Sequence, residues 1–145
     1  MSIKGVIFDL DNTLCYGRPY ENAQPIPGRA KLLKDLRADG HVVIIYTARF
    51  MSTCEYNVGK VIKSIGKMTL EQLDSWGFEY DEIYFGKPSA DIYVDDKALH
   101  VSGIGNIRNL MNVMQAKRHQ IDCAQKNTCD KIDKLVQLVD SLQEK

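Results

Sequence analysis

The sequence predicts a doubly wound α/β fold, in which a parallel sheet carries helices on both faces. Two apolar, β-branched runs, Ile3 to Asp9 and His41 to Tyr46, have the composition of strands that a parallel sheet buries on both faces. A helical pattern lies between them, and strand and helix patterns keep alternating up to about residue 100. Because such sheets bind ligands at the carboxyl ends of their strands, polar residues that follow a strand are the first candidates for a site.

The first half of the chain gives clear signals for its elements. After the first strand, Leu14 to Ile26 contains Gly17, Pro19 and Pro25, which indicates a loop or short flap. Pro27-Gly28-Arg29 then opens a helix with apolar residues at helical spacing, and Gly40 ends it.

The elements after the second strand are shorter. A helical stretch is predicted around Cys54 to Ile65, and a second helix opens at Thr69, where Thr69-Leu70-Glu71-Gln72 matches a capping box. That helix should stop near Gly77. Short strands fit Glu82 to Phe85 and Ile92 to Val94.

The pattern changes near residue 106, so we predict a core of residues 1–105 and a C-terminal helical extension of residues 106–145. Polar residues interrupt the apolar stripe, which favours two helices with a break near Asn127-Thr128 over one long coiled coil. The extension either packs on the core or joins two copies as a homodimer. The stripe has spacings of three and four and consists of Ile107, Met111, Met114, Arg118, Ile121, Gln125, Thr128, Ile132, Leu135, Val139 and Leu142.

Composition narrows the class of protein. The 145 residues include 19 basic and 19 acidic side chains, and this balance favours neither nucleic acid nor a membrane surface as a partner, although a local basic patch is compatible with it. There is no apolar run of about 20 residues that could span a membrane, and no secretory signal at the N-terminus. The four cysteines form no Cys-x-x-Cys pair, so we expect reduced thiols in a cytoplasmic protein.

Paired carboxylates follow the first strand. Asp9 and Asp11 are two residues apart, and on an extended chain they point the same way. One carboxylate could attack phosphorus to give an acyl phosphate, and the other could protonate the leaving oxygen and then activate water. Two close carboxylates repel each other unless a cation lies between them, which favours a metal site. An ordinary pair of turn acids is the alternative.

Three further signals occur at strand ends. Thr47 could hold a phosphoryl oxygen, and Lys87 in Gly86-Lys87-Pro88 could neutralise a nucleophile and a transferring phosphoryl group. Asp95 and Asp96 concentrate like charge after an apolar run, and a hard cation such as Mg²⁺ would relieve it. Taken singly, the threonine also fits a plain strand terminus and the lysine a surface loop.

The sequence resembles, in the same order, the four motifs of the haloacid dehalogenase superfamily over residues 1 to about 100. The matching residues are Phe8-Asp9-Leu10-Asp11-Asn12-Thr13-Leu14, Thr47, Lys87 and Asp95-Asp96. The resemblance implies a Rossmann-like sheet and a phosphatase with an aspartyl-phosphate intermediate. Asp9 would be the nucleophile and Asp11 the general acid/base, while Thr47 and Lys87 bind the phosphoryl group. Mg²⁺ would be held by Asp9, the main-chain carbonyl of Asp11, and Asp96 or Asp95.

Within that superfamily, the chain is similar to small proteins of bacterial capsule and polysaccharide gene clusters and to the phosphatase domain of polynucleotide kinase-phosphatases. The segments that carry this closer similarity are Tyr46-Thr47-Ala48-Arg49, Gly86-Lys87-Pro88 and Tyr93-Val94-Asp95-Asp96-Lys97. No stretch is long enough for a cap domain.

The similarity to these capsule and polysaccharide proteins implies a sugar or polyol phosphate substrate, with a nucleotide or polynucleotide end as the alternative and a phosphoprotein third. A non-catalytic binding protein with the same fold is the rival of another class. Candidate substrate contacts are Asn12, Ala48, Arg49 and, for a ring or a second anion, Arg18 of the flap.

Overall fold

The chain is described by a computed structural model that covers residues 5–104 and 107–143. It forms two compact units, residues 1–93 and 94–145. The division falls between Tyr93 and Val94, earlier in the chain than the predicted one between residues 105 and 106.

The first unit is a mixed α/β structure built on a three-stranded parallel sheet, in which β1 (Gly5–Phe8), β4 (Val42–Thr47) and β5 (Glu82–Phe85) lie side by side in this order. Strand β4 is central and pairs with β1 through Phe8 and Ile45, and with β5 through Thr47 and Phe85. The elements of this unit are β1 Gly5–Phe8, β2 Cys15–Tyr16, β3 Gln24–Pro25, α1 Arg29–Ala38, β4 Val42–Thr47, α2 Val58–Val61, α3 Lys67–Ser75 and β5 Glu82–Phe85.

One part of the hydrophobic core lies between α1 and the central strand, and another is the buried cluster of Met51, Cys54, Val61 and Ile65. Leu33 and Leu36 of α1 are fully buried, and so are Val43 and Ile45 of β4. Because side chains on a strand alternate between its two faces, this arrangement also buries Thr47 at the end of β4. The predicted strands at His41 to Tyr46 and Glu82 to Phe85 and the predicted helix ending before Gly40 are confirmed, within one residue for the strands.

Two predictions about strands are wrong. The first strand is not buried on both faces, because Ile7 is 63% exposed. It is also an edge strand, since it pairs only with β4 among the described residues. Ile92 to Val94 forms no strand, and Ile92 and Val94 are 77% and 97% exposed. The β-branched composition of this segment suits a strand, but a strand also needs a hydrogen-bonding neighbour, and the described residues give it none.

The predicted loop from Leu14 to Ile26 contains a small antiparallel hairpin of β2 and β3. Cys15 pairs with Pro25, and Tyr16 pairs with Gln24. A single 3₁₀ turn at Tyr20–Asn22 crosses between the two strands. This hairpin is referred to below as the flap.

The helical segment after β4 starts and continues differently from the prediction. It begins at Val58, where the Asn57 side chain accepts a hydrogen bond from the Lys60 N–H at 3.0 Å. It then runs through a π-helical turn at Ile62–Gly66 into α3. The predicted capping box is therefore wrong, because Thr69 lies inside α3 and is fully buried. The helix ends near Gly77, as predicted, with that glycine at φ 68°.

The second unit contains a 3₁₀ turn at Val101–Gly103 and one helix of 37 residues, α4 Ile107–Gln143. The predicted break near Asn127-Thr128 is wrong. Neither glycine nor proline occurs within α4, and the Thr128 hydroxyl donates to the Ala124 carbonyl at 3.0 Å, inside the helix. Polar residues thus interrupt the apolar stripe without ending the backbone helix. None of the helices in the described residues combines the length and apolar composition that a membrane span requires.

We predict that Gly86→Ala destabilises the first unit more than Gly40→Ala. Both glycines have positive φ, 101° and 85°, so a side chain strains either site by about 1–2 kcal/mol. Only at Gly86 would the new Cβ also lie 2.9 Å from Val58 Cγ2, whereas nothing lies within 4 Å at Gly40. Overpacking should add about 1 kcal/mol or more to the loss in unfolding free energy, measured by urea titration. Equal losses for the two variants would contradict this packing.

Candidate active site

The parallel sheet brings three of the predicted residues to one edge. Asp9 follows β1, Thr47 ends β4, and Lys87 follows β5 after the Gly86 turn. The Lys87 N–H donates to the Thr47 carbonyl at 3.1 Å, which holds the chain after β5 against the end of β4. Parallel strands in register therefore place these residues at a common edge, as the sequence predicts.

Asp9 and Lys87 form an ion pair at this edge. Lys87 Nζ lies 2.9 Å from Asp9 Oδ1, and the Thr13 hydroxyl donates to Asp9 Oδ2 at 3.3 Å. The two side chains are 33% and 18% exposed, so the carboxylate is reachable from solvent while its lysine is largely enclosed. Lys87 Nζ also lies 4.4 Å from the centre of the Tyr93 ring.

Arg49 is the largest fully buried side chain among the described residues, and it forms hydrogen bonds with several segments of the first unit. Its Nε donates to both Asp11 oxygens at 2.9 and 3.1 Å. One terminal nitrogen donates to Thr69 Oγ1 at 3.3 Å and to Gln72 Oε1 at 2.8 Å, and the other to Cys15 Sγ at 3.3 Å. The planar guanidinium suits such a network. Arg49 was predicted as a substrate contact, yet its donors are directed at protein groups.

The sequence analysis did not identify Thr69 and Gln72 as hydrogen-bond partners of Arg49. The sequence signal at this position was a match to a capping box, which assigned both residues to a helix start. Their spacing of three within α3 places them on the same side of a helix, which is compatible with a shared partner but does not identify one.

The Cys15 thiol is buried between the two charged groups of this network. It donates to Asp11 Oδ1 at 3.5 Å and to the Leu10 carbonyl at 3.6 Å. Burial first, and the neighbouring Asp11 carboxylate second, raise the pKa of Cys15 to about 12. The side chain is therefore a neutral thiol at neutral pH. Cys15, Cys54, Cys123 and Cys129 form no disulfide in the structure, and their reduced state stays a prediction.

A polar cavity of about 380 Å³ opens beside the ion pairs. Among the predicted residues, those lining it are Asp9, Asp11, Asn12, Arg18, Ala48, Arg49 and Lys87. Three hydroxyl side chains that the sequence did not single out, Ser52, Thr53 and Ser89, also line it. The cavity offers both charged and neutral hydrogen-bonding groups, as a site for a small polar ligand requires.

Thr47 directly precedes Ala48 and Arg49, which line the cavity, but Thr47 itself is not a lining residue. Its side chain is buried, and its hydroxyl accepts a hydrogen bond from the Arg49 N–H at 3.1 Å. The predicted contact of this hydroxyl with a phosphoryl group stays a prediction.

Asp95 and Asp96 belong to the second unit. Asp95 Oδ1 accepts from the Lys97 N–H at 2.6 Å, and this bond, followed by one from the Ala98 N–H, holds the pKa of Asp95 below its ordinary value. Their predicted role as metal ligands stays a prediction.

Within the described ranges, no three His, Cys, Asp or Glu side chains are grouped closely enough to hold a metal by themselves. Magnesium, however, needs only one or two carboxylates besides water and substrate phosphate. Asp9 and Asp11 both line one cavity, so a carboxylate and a main-chain carbonyl, hard oxygen donors of the kind that this ion takes, are available there, although both carboxylates are also paired with cations.

No protein-family model and no curated protein matches the chain. A solved structure, a crystal structure of a structural-genomics target from Vibrio cholerae, does match. It is 32% identical, superposes with a TM-score of 0.71, and the match covers 79% of this chain and 99% of the other. The chain belongs to the same family as that protein. This relationship supports the α/β fold of the family and adds no activity to it.

For this family member, we predict that removing the buried arginine costs much of the stability. Arg49→Met keeps a similar length but leaves the Asp11 carboxylate without its ion-pair partner, so unfolding free energy should fall by about 3 kcal/mol. The matched control is Lys60→Met, which removes the exposed pair with Glu55 and should cost about 0–1 kcal/mol. Chemical unfolding of both variants makes the comparison. A loss for Arg49→Met as small as the control's would contradict the network.

Proposed function

We propose that this protein is a Mg²⁺-dependent phosphomonoesterase of the haloacid dehalogenase type, with Asp9 as the nucleophile. The observation that supports this most directly is the 2.9 Å pair between Asp9 and Lys87, at the carboxyl ends of the two strands that flank β4 and on the wall of a polar cavity. A solvent-reachable carboxylate beside a fixed ammonium is suited to meet an incoming phosphate, because the cation offsets the repulsion between the two anions.

In the first step, an Asp9 carboxylate oxygen attacks phosphorus. A new O–P bond forms, the bond from phosphorus to the ester oxygen breaks, and the leaving alcohol takes up a proton. In the second step, water attacks the same phosphorus and releases inorganic phosphate, which restores the Asp9 carboxylate. Lys87 attracts the equatorial phosphoryl oxygens in both steps, and the Thr47 hydroxyl is proposed as a further contact.

Asp11 is the proposed proton donor and acceptor. Both of its carboxylate oxygens accept hydrogen bonds from Arg49 Nε, and a proton on Asp11 would weaken that contact. Proton transfer is therefore coupled to a loosening of the Asp11–Arg49 pair. Arg49 acts as a positioning residue that keeps Asp11 at the cavity wall between steps.

Magnesium, when bound, neutralises negative charge on the transferring phosphoryl group. Asp9 and the main-chain carbonyl of Asp11 would hold it in the first unit. We propose a sugar or polyol phosphate of surface-polysaccharide synthesis as the substrate in the cytoplasm, with nucleotides and polynucleotide ends as the alternatives.

Asp9→Asn should abolish turnover without unfolding the protein, since the amide is nearly isosteric but cannot act as the nucleophile. We expect phosphate release with Mg²⁺ to fall by at least about 10³-fold. The substrate panel contains sugar phosphates, polyol phosphates, nucleotides and 3′-phosphorylated oligonucleotides, each with Mg²⁺ and with EDTA. Asp35→Asn, an acid of α1 outside the cavity, is the control and should keep full activity.

Near-normal release by Asp9→Asn would overturn the proposed mechanism. Absence of release by the folded wild-type protein from every substrate in the panel would instead favour the non-catalytic binding protein.

A further inference from the structure

The cavity is lined by one more positively charged side chain than negatively charged ones. Lys87 is paired with Asp9, and Arg49 is paired with Asp11, so these four charges cancel in two contacts. Arg18 lines the same cavity and forms no ion pair with any described residue. One positive charge is therefore left on the flap side of the cavity. Arg49, which has an acidic partner, also lies 5.0 Å from the centre of the Tyr20 ring.

The flap holds Arg18 in place through Tyr20. The Arg18 guanidinium lies 4.0 Å from the centre of the Tyr20 ring, and that ring lies 5.6 Å from the Phe50 ring. The Tyr20 carbonyl accepts a hydrogen bond from the Gln72 amide at 2.6 Å, which anchors the flap to α3. A guanidinium that stacks by its face keeps N–H donors along its edge for another partner.

We propose that Arg18 binds a second anionic group of the substrate, so that the site selects phosphomonoesters that also carry a carboxylate or a second phosphate. This inference rests on the proposed function for the identity of the reacting phosphate. The edge of a guanidinium matches either anion through two parallel hydrogen bonds. A cavity of about 380 Å³ has the size of a small-molecule site, and so the substrate is a small acid phosphate.

The test compares two substrates that differ at one carbon, 6-phosphogluconate and sorbitol 6-phosphate. The wild-type protein should favour the acid by about tenfold or more in kcat/KM, mainly through KM, because the second anion adds binding energy. Arg18→Gln should remove this preference, so that kcat/KM becomes similar for the two compounds, by raising KM for the acid far more than KM for the sorbitol ester. Lys63→Gln, an exposed helix substitution outside the cavity, should keep the preference.

Binding of the same two compounds to the protein, measured by calorimetry, separates this inference from the proposed function. If neither compound is hydrolysed but the acid still binds more tightly, and Arg18→Gln removes the difference, the second-anion site stands and the phosphatase mechanism fails. Equal affinity for the two compounds, or binding of neither, overturns the assignment of Arg18.

A separate observation concerns α4. From His119 to Ser141, every side chain that the structure describes is exposed. At a rise of 1.5 Å per residue, the whole helix is about 55 Å long. Five large apolar residues stay between 52% and 62% exposed: Ile132, Leu135, Val136, Leu138 and Val139. Long helices in proteins owe most of their stability to packing of an apolar face, so this part of α4 needs a partner.

The spacing identifies the kind of partner. Gln125, Thr128, Ile132, Leu135 and Val139 alternate by three and four residues, which is the heptad of a coiled-coil seam. In that heptad, Ile132 and Val139 occupy a positions and Leu135 a d position. β-Branched residues at a with leucine at d favour parallel two-stranded coiled coils.

We infer that α4 pairs with α4 of a second copy of this chain as a parallel coiled coil. In a parallel homodimer, each seam residue meets its own counterpart, so Ile132 packs on Ile132 and Leu135 on Leu135. The polar seam residues Gln125 and Thr128 then fix the register of the two helices at some cost in stability.

Sedimentation analysis should find a wild-type dimer at micromolar concentration and a monomer for Leu135→Asp, whose carboxylate would be buried in the seam. Gln137→Asp, at the f position opposite the seam, is the matched control and should remain dimeric. In a protein with Cys123→Ser and Cys129→Ser, Val139→Cys should form an intermolecular disulfide on oxidation, as parallel a positions allow. A monomeric wild type or a dimeric Leu135→Asp protein would overturn the dimer, and a failure of Val139→Cys to cross-link would overturn the parallel orientation.

Discussion

The guanidinium of Arg49, which follows β4, contacts three other segments of the first unit. It contacts Asp11 in the loop after β1, Cys15 at the start of the flap, and Thr69 and Gln72 on α3. A buried cation is stable only when several acceptors surround it, so each of these segments must occupy its observed place for the charge to be tolerated. The same requirement fixes the wall of the cavity, because Asp11 and Arg49 both line it.

The charged side chains that form ion pairs in the cavity have a different role from the one that forms none among the described residues. The pairs of Asp9 with Lys87 and of Asp11 with Arg49 position side chains within the protein, and they leave the site close to neutral. Recognition of a charged ligand then depends on what lies outside these pairs. For that reason the flap, which carries Arg18, is as much a part of the proposed site as the strand ends that carry the reacting groups.

The sequence was sufficient for features that depend on local pattern and strand order. It located β4, β5 and α1, and it brought Asp9 and Lys87 to one edge, because polar residues after parallel strands must meet there. It failed where the outcome depends on neighbours. Among the described residues, the segment at Ile92 lacks a pairing strand, and Thr69 lies inside α3 instead of capping it. Thr128 lies within α4, where its hydroxyl donates to the Ala124 carbonyl.

The neutral thiol of Cys15 has a consequence for the chemical durability of the site. Peroxides and alkylating reagents attack thiolates, and a cysteine with a pKa near 12 supplies almost none at physiological pH. The Cys15 side chain is also fully buried, so its sulfur contacts Asp11 at a place that reagents in solution do not reach in the folded protein. Cys123 and Cys129, both exposed on α4, are the thiols at which such reagents would modify the chain.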